Sequence, residues 1–475
     1  MVKTPALFEP VKFDGKHLRL LDETLLPEQE VWVSIEGLQG LLRAVERMQT
    51  RAFGQVLALA YGLFLGEKEG FSPAQVILAF ERARPTFPFG GIGEQILSNT
   101  LPGKSISESA LAFIKTTLKL RRARAERLAD LLPNPAHLLT HCHVSGELGL
   151  AMAIAKEAGK RVKAFPTLTR PYGQGIRLSA PEFLGLGIDT ELVADNAVLQ
   201  VFEEGRINLV VIGSDRSSER GDILNKVGSF TIAFLARKFR LPFFALIQEM
   251  GADNALPSPL PIEFRDPQEA KPPKWEVHGT SYLYPSFDMV PGPLITKRIG
   301  FFGVYDPPPS MPDDSLKPFR IEVQANQRIP NACSLVVGHP ASDETDRFVE
   351  RLRAAKRPVL VLEDLPMFGG VALADRLQKE GLEAYLACDL MAGFFFEAGL
   401  VASVHAGILK GDQGRLPKGT GTISLLAKTY GIPLETFQAE LCITKEENLF
   451  RMFGGPTFEE KIPIFLGEPS EVLPA

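Results

Sequence analysis

Hydrophobic and polar positions change their period twice along this 475-residue chain. A short β start (HLRLLDETLLP, then EVWVSI) opens it. Apolar residues then recur at three- and four-residue spacing over Ile35 to Thr50, Phe53 to Leu65, Pro73 to Ala83 and Ser107 to Leu132, which predicts amphipathic helices. Pro133-Asn-Pro ends the last of them. From there, apolar runs of four to six residues (His137 to Thr140, Val162 to Phe165, Leu209 to Ile212, Pro242 to Ile247) alternate with helical stretches starting near Ser145, Gln174, Asn196 and Lys226. Strand and helix in this alternation predict a parallel sheet covered on both faces, a Rossmann-like α/β fold. Ligands of such sheets sit at the carboxyl ends of the strands, so the residues just after each apolar run are where chemistry is to be sought.

Prolines then cluster (Leu256 to Pro261, Lys271 to Pro273, Pro307 to Pro309, Pro312), giving a loop-rich stretch, after which the alternation returns. The return reads as an internal repeat: Lys356 to Asp389 runs parallel to Lys160 to Asp195, and Gly399 to Pro433 to Gly205 to Pro242. The expected organisation is a helical N-terminal domain (1–132), an α/β domain with a loop-rich tail (133–305), a Pro-rich linker (306–330), and a second, degenerate α/β copy with a C-terminal tail (331–475).

Composition fits a globular chain, with 45% hydrophobic and 23% charged residues. The net charge of −5 argues against a nucleic-acid binder. The densest basic run, Lys119 to Arg127, reads as a solvated helix face. No apolar stretch approaches the roughly 18 residues of a spanning helix, and the N-terminus lacks a leader pattern, so a cytoplasmic location is expected. Four cysteines (Cys142, Cys333, Cys388, Cys442) without CxxC spacing read as free thiols.

Cys142, in THCHVSGELG, follows a strand and precedes a helical pattern, where a helix N-terminus would favour its thiolate; the alternative is a buried filler. His143 beside it could carry protons. Asp215, in GSDRSSERGDILNK, follows the strand Leu209 to Ile212, a position for a general acid or base, with Asn225 and Lys226 at the expected start of the next helix; alternatively Asp215 or Asp222 caps that helix. Arg170, Gln174 and Arg177, in TRPYGQGIRLS, suit phosphate recognition or structural pairing with a carboxylate.

Several motifs together, LLDETLLP, MQTRAFG, RARPT, LLTHC, TRPYGQGIRLSAPE, GSDRSSERGDILNKVGS, PIEFRDPQEA and YPSFDMVPGPLIT, resemble the methylthioribose-1-phosphate isomerase family over about residues 15 to 300. Its relatives are ribose-1,5-bisphosphate isomerase and the alpha, beta and delta subunits of initiation factor 2B. The resemblance implies an aldose–ketose isomerase of a phosphorylated pentose, with Cys142 and Asp215 as the reacting pair and Arg51, Arg84, Gln174, Asn225 and Lys226 on phosphate or hydroxyls. His143, Arg170 and Arg177 are further candidates. It implies no metal or redox cofactor, a small-molecule sugar phosphate as the partner, no nucleic acid or membrane, and either a homodimer or a pseudo-dimer through the second copy. The other functions it allows are a ribose-1,5-bisphosphate-type isomerase and a non-catalytic sugar-phosphate or nucleotide sensor like the initiation factor subunits. The family's Arg-Gly-Ala-Pro turn stands here as Arg51-Ala52-Phe53-Gly54, and the Glu expected two residues before Arg170 is Leu168. In the repeat, Gly338 stands where Cys142 does and Leu409 where Asp215 does.

Overall fold

The apolar face that each N-terminal helix presents at three- and four-residue spacing is buried in one shared core. A computed structural model describes residues 2–85, 87–100, 103–218, 221–247, 260–271, 280–306, 321–322, 330, 332–365, 368–409, 419–440 and 464–465. Cys442, most of the Pro-rich linker and most of the final 35 residues lie outside the described residues.

The chain divides into two units: residues 1–134 with 144–161 and 181–188, and residues 135–143 with 162–180 and 189–475. In the first, an antiparallel sheet (Val11–Phe13, Leu18–Leu21, Trp32–Ile35) precedes helices Gly37–Glu46, Phe53–Lys68, Pro73–Ala83 and Ile106–Leu131. A further helix, Phe89–Ser98, was not legible in the sequence, where its three glycines weaken the pattern. Capping boxes at Ser72 and Ser105, each with its third residue (Gln75, Glu108), start two of the helices. Leu41, Leu57, Leu63, Phe80 and Phe89 fill the core.

The basic run is not a solvated face. Arg121 and Arg124 are 3% and 5% exposed and converge on Glu147, itself buried, in the helix Glu147–Glu157. Arg121 also donates to the carbonyls of Phe8 and Ser145, 2.6 Å each, and lies over the Phe53 ring. Two buried cations can be held this way because one carboxylate faces both.

Ala52, the N-cap of Phe53–Lys68, adopts φ 43° and ψ −117°, a region that favours glycine. Ala52→Gly is therefore expected to raise stability by about 1 kcal/mol, strain relief outweighing the entropy of a new glycine. A rise in the urea midpoint checks this; a fall of similar size would show that the backbone is unstrained.

The second unit holds two seven-stranded sheets among the described residues. In the first the strands lie in the order Val304–Tyr305, Lys297–Ile299, Phe243–Leu246, Leu209–Ile212, Ala136–Thr140, Val162–Pro166, Asp189–Thr190, parallel except at the Val304 edge. Connections therefore run in opposite directions from Ala136–Thr140 and Leu209–Ile212, the topological switch point of a doubly wound sheet. The second sheet is ordered Ser281–Tyr282, Ala384–Ala387, Val359–Leu362, Cys333–Val337, Val401–Leu409, Leu434–Glu440, His339–Pro340. Its strands are parallel except at the His339 edge. Near-continuous apolar runs such as LVVI and VLVL suit strands buried on both faces.

Candidate functional site

Cys142 and Asp215 follow the two strands that flank the switch point, so the topology brings to one edge of the sheet residues 73 positions apart. Cys142 is half-buried and Asp215 exposed. The Asp215 N–H donates to Leu224 O (2.9 Å), tying its turn to a strand that enters the site from the other side.

That strand, Ile223–Lys226, pairs antiparallel with Arg216–Ser217 and Phe287–Val290. Asn225 and Lys226 thus end a strand and do not start the next helix, which begins at Ser229. The sequence could not separate these because ILNKVG is too short to show a period. Lys226 is 8% exposed. Burial works against its ammonium, yet the Tyr284 phenol, the Cys142 thiol and the Asp215 carboxyl together lift its pKa above the ordinary lysine value. One fixed cation therefore serves both candidate reacting groups. Its charge also sits 5.8 Å from the centre of the Tyr284 ring and 5.3 Å from that of Phe287.

Cys142 itself has φ 68°, so its backbone is held in the left-handed region from both sides: its N–H donates to Thr169 Oγ1 (2.9 Å) and its carbonyl accepts from Ser179 Oγ (2.8 Å). The helix that follows starts only at Glu147, behind Gly146, and so does not begin directly after the thiol. Thr169 Oγ1 lies 3.0 Å from Thr167 Oγ1, which is 2.7 Å from His141 Nδ1, and His141 Nε2 is 2.8 Å from Val227 O. A carbonyl can only accept, so Nε2 carries the proton and Nδ1 accepts from Thr167. A single chain of donors then runs from the Cys142 amide through two threonines to a neutral histidine.

Burial pushes the His141 pKa down to about 4. A group depressed in the folded state leaves the unfolded chain with more bound protons below pH 6.5, so the stability it contributes is present above 6.5 and lost as pH falls toward 4. Between pH 7.5 and 5 the protein is expected to lose about 2 kcal/mol that His141→Gln does not lose. Urea titrations of both at the two pH values check this, and equal losses would sink it.

Gln174 is nearly buried, and its Oε1 has no hydrogen-bond partner among the described residues, an acceptor open to a hydroxyl. It precedes the π-helical turn Gly175–Ser179, where a Cβ on Gly175 would run into the Thr167 carbonyl. Arg177 lies in this turn over the Tyr172 ring. His143 is half-buried beside Cys142. Arg170 is 2% exposed and its guanidinium is taken up by Glu363, Pro171 O and Ala270 O. Asp222 does not cap the helix Ser229–Lys238; it accepts from Gly292 N (2.8 Å), the first residue of a 3-10 turn, and from Ser218 Oγ (3.2 Å). The helix Ser229–Lys238 is instead met by Asp288, which accepts from Gly228 N (2.7 Å) and Phe230 N (3.1 Å) and whose pKa burial raises to about 8. Arg51 and Arg84 lie in the other unit, the Arg51 N–H on Glu23 Oε1 (2.9 Å) and the Arg84 guanidinium at Met48 Sδ.

Tyr284, Arg265 and Asp288 were not singled out in the sequence. They lie in PIEFRDPQEA and YPSFDMVPGPLIT, which mark the family but carry no strand-end signal. Among the described residues no cluster of three His, Cys, Asp or Glu could hold a metal, and no helix is long and apolar enough to cross a membrane.

The sequence profile of the Initiation factor 2 subunit family matches residues 95–307, a stretch that includes the whole first parallel sheet together with Cys142 and Asp215. The methylthioribose-1-phosphate isomerase of Desulforudis audaxviator is 33% identical over 325 residues, 62% of this chain and 93% of that protein. That of Anaeromyxobacter sp. is 33% identical over 321 residues, 63% and 95%. The chain belongs to the methylthioribose-1-phosphate isomerase family. The fold is similar to crystal structures of 5-methylthioribose 1-phosphate isomerase from Pyrococcus horikoshii (TM-score 0.55, 24% identity, 64% of this chain and 95% of that one). It is also similar to translation initiation factor eIF-2B, subunit delta, from A. fulgidus (0.54, 26%, 63% and 96%). These proteins are covered almost end to end, so more than a third of this chain lies outside each alignment.

Proposed function

We propose that this chain is an aldose–ketose isomerase converting 5-methylthioribose 1-phosphate to 5-methylthioribulose 1-phosphate. The observation that carries the proposal is the pairing of Cys142 and Asp215 at the switch point around one buried cation, Lys226. Family membership supplies the substrate class.

A phosphate on C1 locks the sugar ring, so the ring must open before hydrogen can move. Asp215 gives a proton to the ring oxygen as the bond from C1 to that oxygen breaks. The hydrogen on C2 then ends on C1, the O2 hydroxyl proton returns to the carboxylate, and a ketone remains at C2; no atom is gained or lost. Cys142 serves the transfer between C1 and C2, Gln174 accepts from a sugar hydroxyl, and Lys226 with Asn225 meets the anionic end of the substrate. Lys226 stays cationic through the neutral range, a fixed charge that needs no reorganisation during the reaction.

Incubation with 5-methylthioribose 1-phosphate and, separately, ribose 1,5-bisphosphate, following ketose formation, tests the reading. Turnover of the first is expected. Binding of either without turnover would make the chain a sensor instead.

A further inference from the structure

The described part of the C-terminal lobe, residues 332–440, repeats the first α/β layer in detail as well as in strand order. Among the strands at Cys333, Val359, Ala384, Val401 and Leu434, the order is that of the strands at Ala136, Val162, Asp189, Leu209 and Phe243. Thr169 and Asp364 both have φ 60°. Their N–H groups and those of the next residues, Arg170 and Leu365, donate to one carboxylate each, Asp195 and Asp389. Gly175 packs on the Thr167 carbonyl as Gly370 does on that of Leu362. Within this turn Thr167, Thr169, Arg170 and Gly175 correspond to Leu362, Asp364, Leu365 and Gly370, all at the same offset of 195 residues.

The two layers also touch reciprocally. A Cβ on Gly228 would meet Leu390, and a Cβ on Gly419 would meet Asn196; Gly228 and Gly419 are the left-handed N-caps of matching helices, and Leu390 and Asn196 each follow the matching aspartate. Residue i on j and j′ on i′ is the signature of a two-fold interface between like subunits. The tail of the first layer further adds the strand Ser281–Tyr282 to the edge of the second sheet.

The pseudo-symmetry breaks at one place. Arg170 makes a bidentate pair with Glu363, 3.0 and 2.9 Å, with both side chains almost wholly buried. The mirror positions of Arg170 and Glu363 are Leu365 and Leu168, both buried and apolar. Only one of two symmetric ion pairs is present, and it lies on the side that has Cys142. Arg170 follows Thr169, whose hydroxyl holds the Cys142 amide, and precedes Gln174 by four residues.

We propose that the C-terminal lobe is a built-in partner subunit that has lost its own reacting groups, and that its Glu363 is a positioning residue for the Cys142 site, acting through Arg170 and the Thr169–Ser179 turn. A chain built this way occupies its own two-fold face and needs no second copy there. The site-positioning role rests on the isomerase reading, whereas thiol reactivity and solution mass test the lobe without it.

The test compares full-length wild type, Glu363→Gln, Glu363→Asp and, as a control on an exposed ion pair of the same lobe, Glu350→Gln. Readouts are folding by circular dichroism, sedimentation mass, the iodoacetamide alkylation rate of the Cys142 peptide by mass spectrometry, and kcat and KM. Wild type is expected to sediment as a single 475-residue chain. Glu363→Gln should raise Cys142 alkylation by about tenfold as the turn opens and lower kcat by about 10- to 100-fold. Glu363→Asp should recover part of both, and Glu350→Gln should change neither. Unchanged alkylation in a folded Glu363→Gln would overturn the positioning role whether or not the protein turns over substrate. A wild-type dimer that falls to single-chain mass in Glu363→Gln would overturn the built-in partner, because the pair would then bridge two chains. Should Glu363→Gln not fold, the same readings on Glu363→Asp decide.

Discussion

Cys142→Ala and Asp215→Asn are each expected to lower kcat for ketose formation by about 10²–10⁴-fold, with KM changed far less. In the proposed mechanism each substitution removes a group that acts on the reacting atoms while leaving the frame around it intact. The Cys142 backbone is fixed by Thr169 and Ser179 through its own amide and carbonyl, and Asp215 is anchored through its main-chain N–H to Leu224. Alanine keeps those backbone bonds, and asparagine keeps the shape of the carboxyl without its proton chemistry. Because both groups surround Lys226 and act on one substrate, the double variant is expected to be little worse than the weaker single one. Steady-state kinetics of the four proteins decide. Full activity in either single variant removes that residue from the mechanism, and losses that simply multiply would mean that the two groups stabilise one rate-limiting transition state independently.

The largest loss of stability is expected at Glu147. Glu147→Gln leaves the buried guanidiniums of Arg121 and Arg124 facing each other without the carboxylate that pairs with both, a loss of about 3–5 kcal/mol. Burial, with the neighbouring Arg124 cation adding to it and Glu147 opposing it, already holds Arg121 down to about 10, well below the ordinary arginine value. The carboxylate is thus what keeps two cations tolerable in that place. Removing a cation along with the anion should cost less than removing the anion alone, so Glu147→Leu with Arg124→Leu is expected to unfold at higher urea than Glu147→Leu. The reverse order would show that the triad is solvated. A Glu147→Gln protein within about 0.5 kcal/mol of wild type would show the same.

The sequence by itself determined the period of each segment, and hence most of the fold. Runs such as LVVI and FFAL, four residues long and alternating with helical stretches, read as strands of a sheet covered on both faces. It also pointed to Cys142 and Asp215 as candidates, since a thiol and a carboxyl following two strands of a parallel sheet are carried to the same edge by the topology. Local pattern could not set the fate of charges whose partners are distant in sequence. Arg121 and Arg124 read as a solvent face until Glu147, more than twenty residues on, proved to be buried with them. Arg170 was equally suited to a phosphate or a carboxylate, and only the tertiary structure brings Glu363 to it from 193 residues away. Lys226 looked like a helix start, and its part in the candidate site depends on strand pairing with Phe287–Val290, which places it beside Tyr284 and within electrostatic reach of Cys142 and Asp215. The physical reason is the same in each case: periodicity records which side of an element avoids water, whereas the cost of burying a charge is met by whichever opposite charge the completed fold brings within reach.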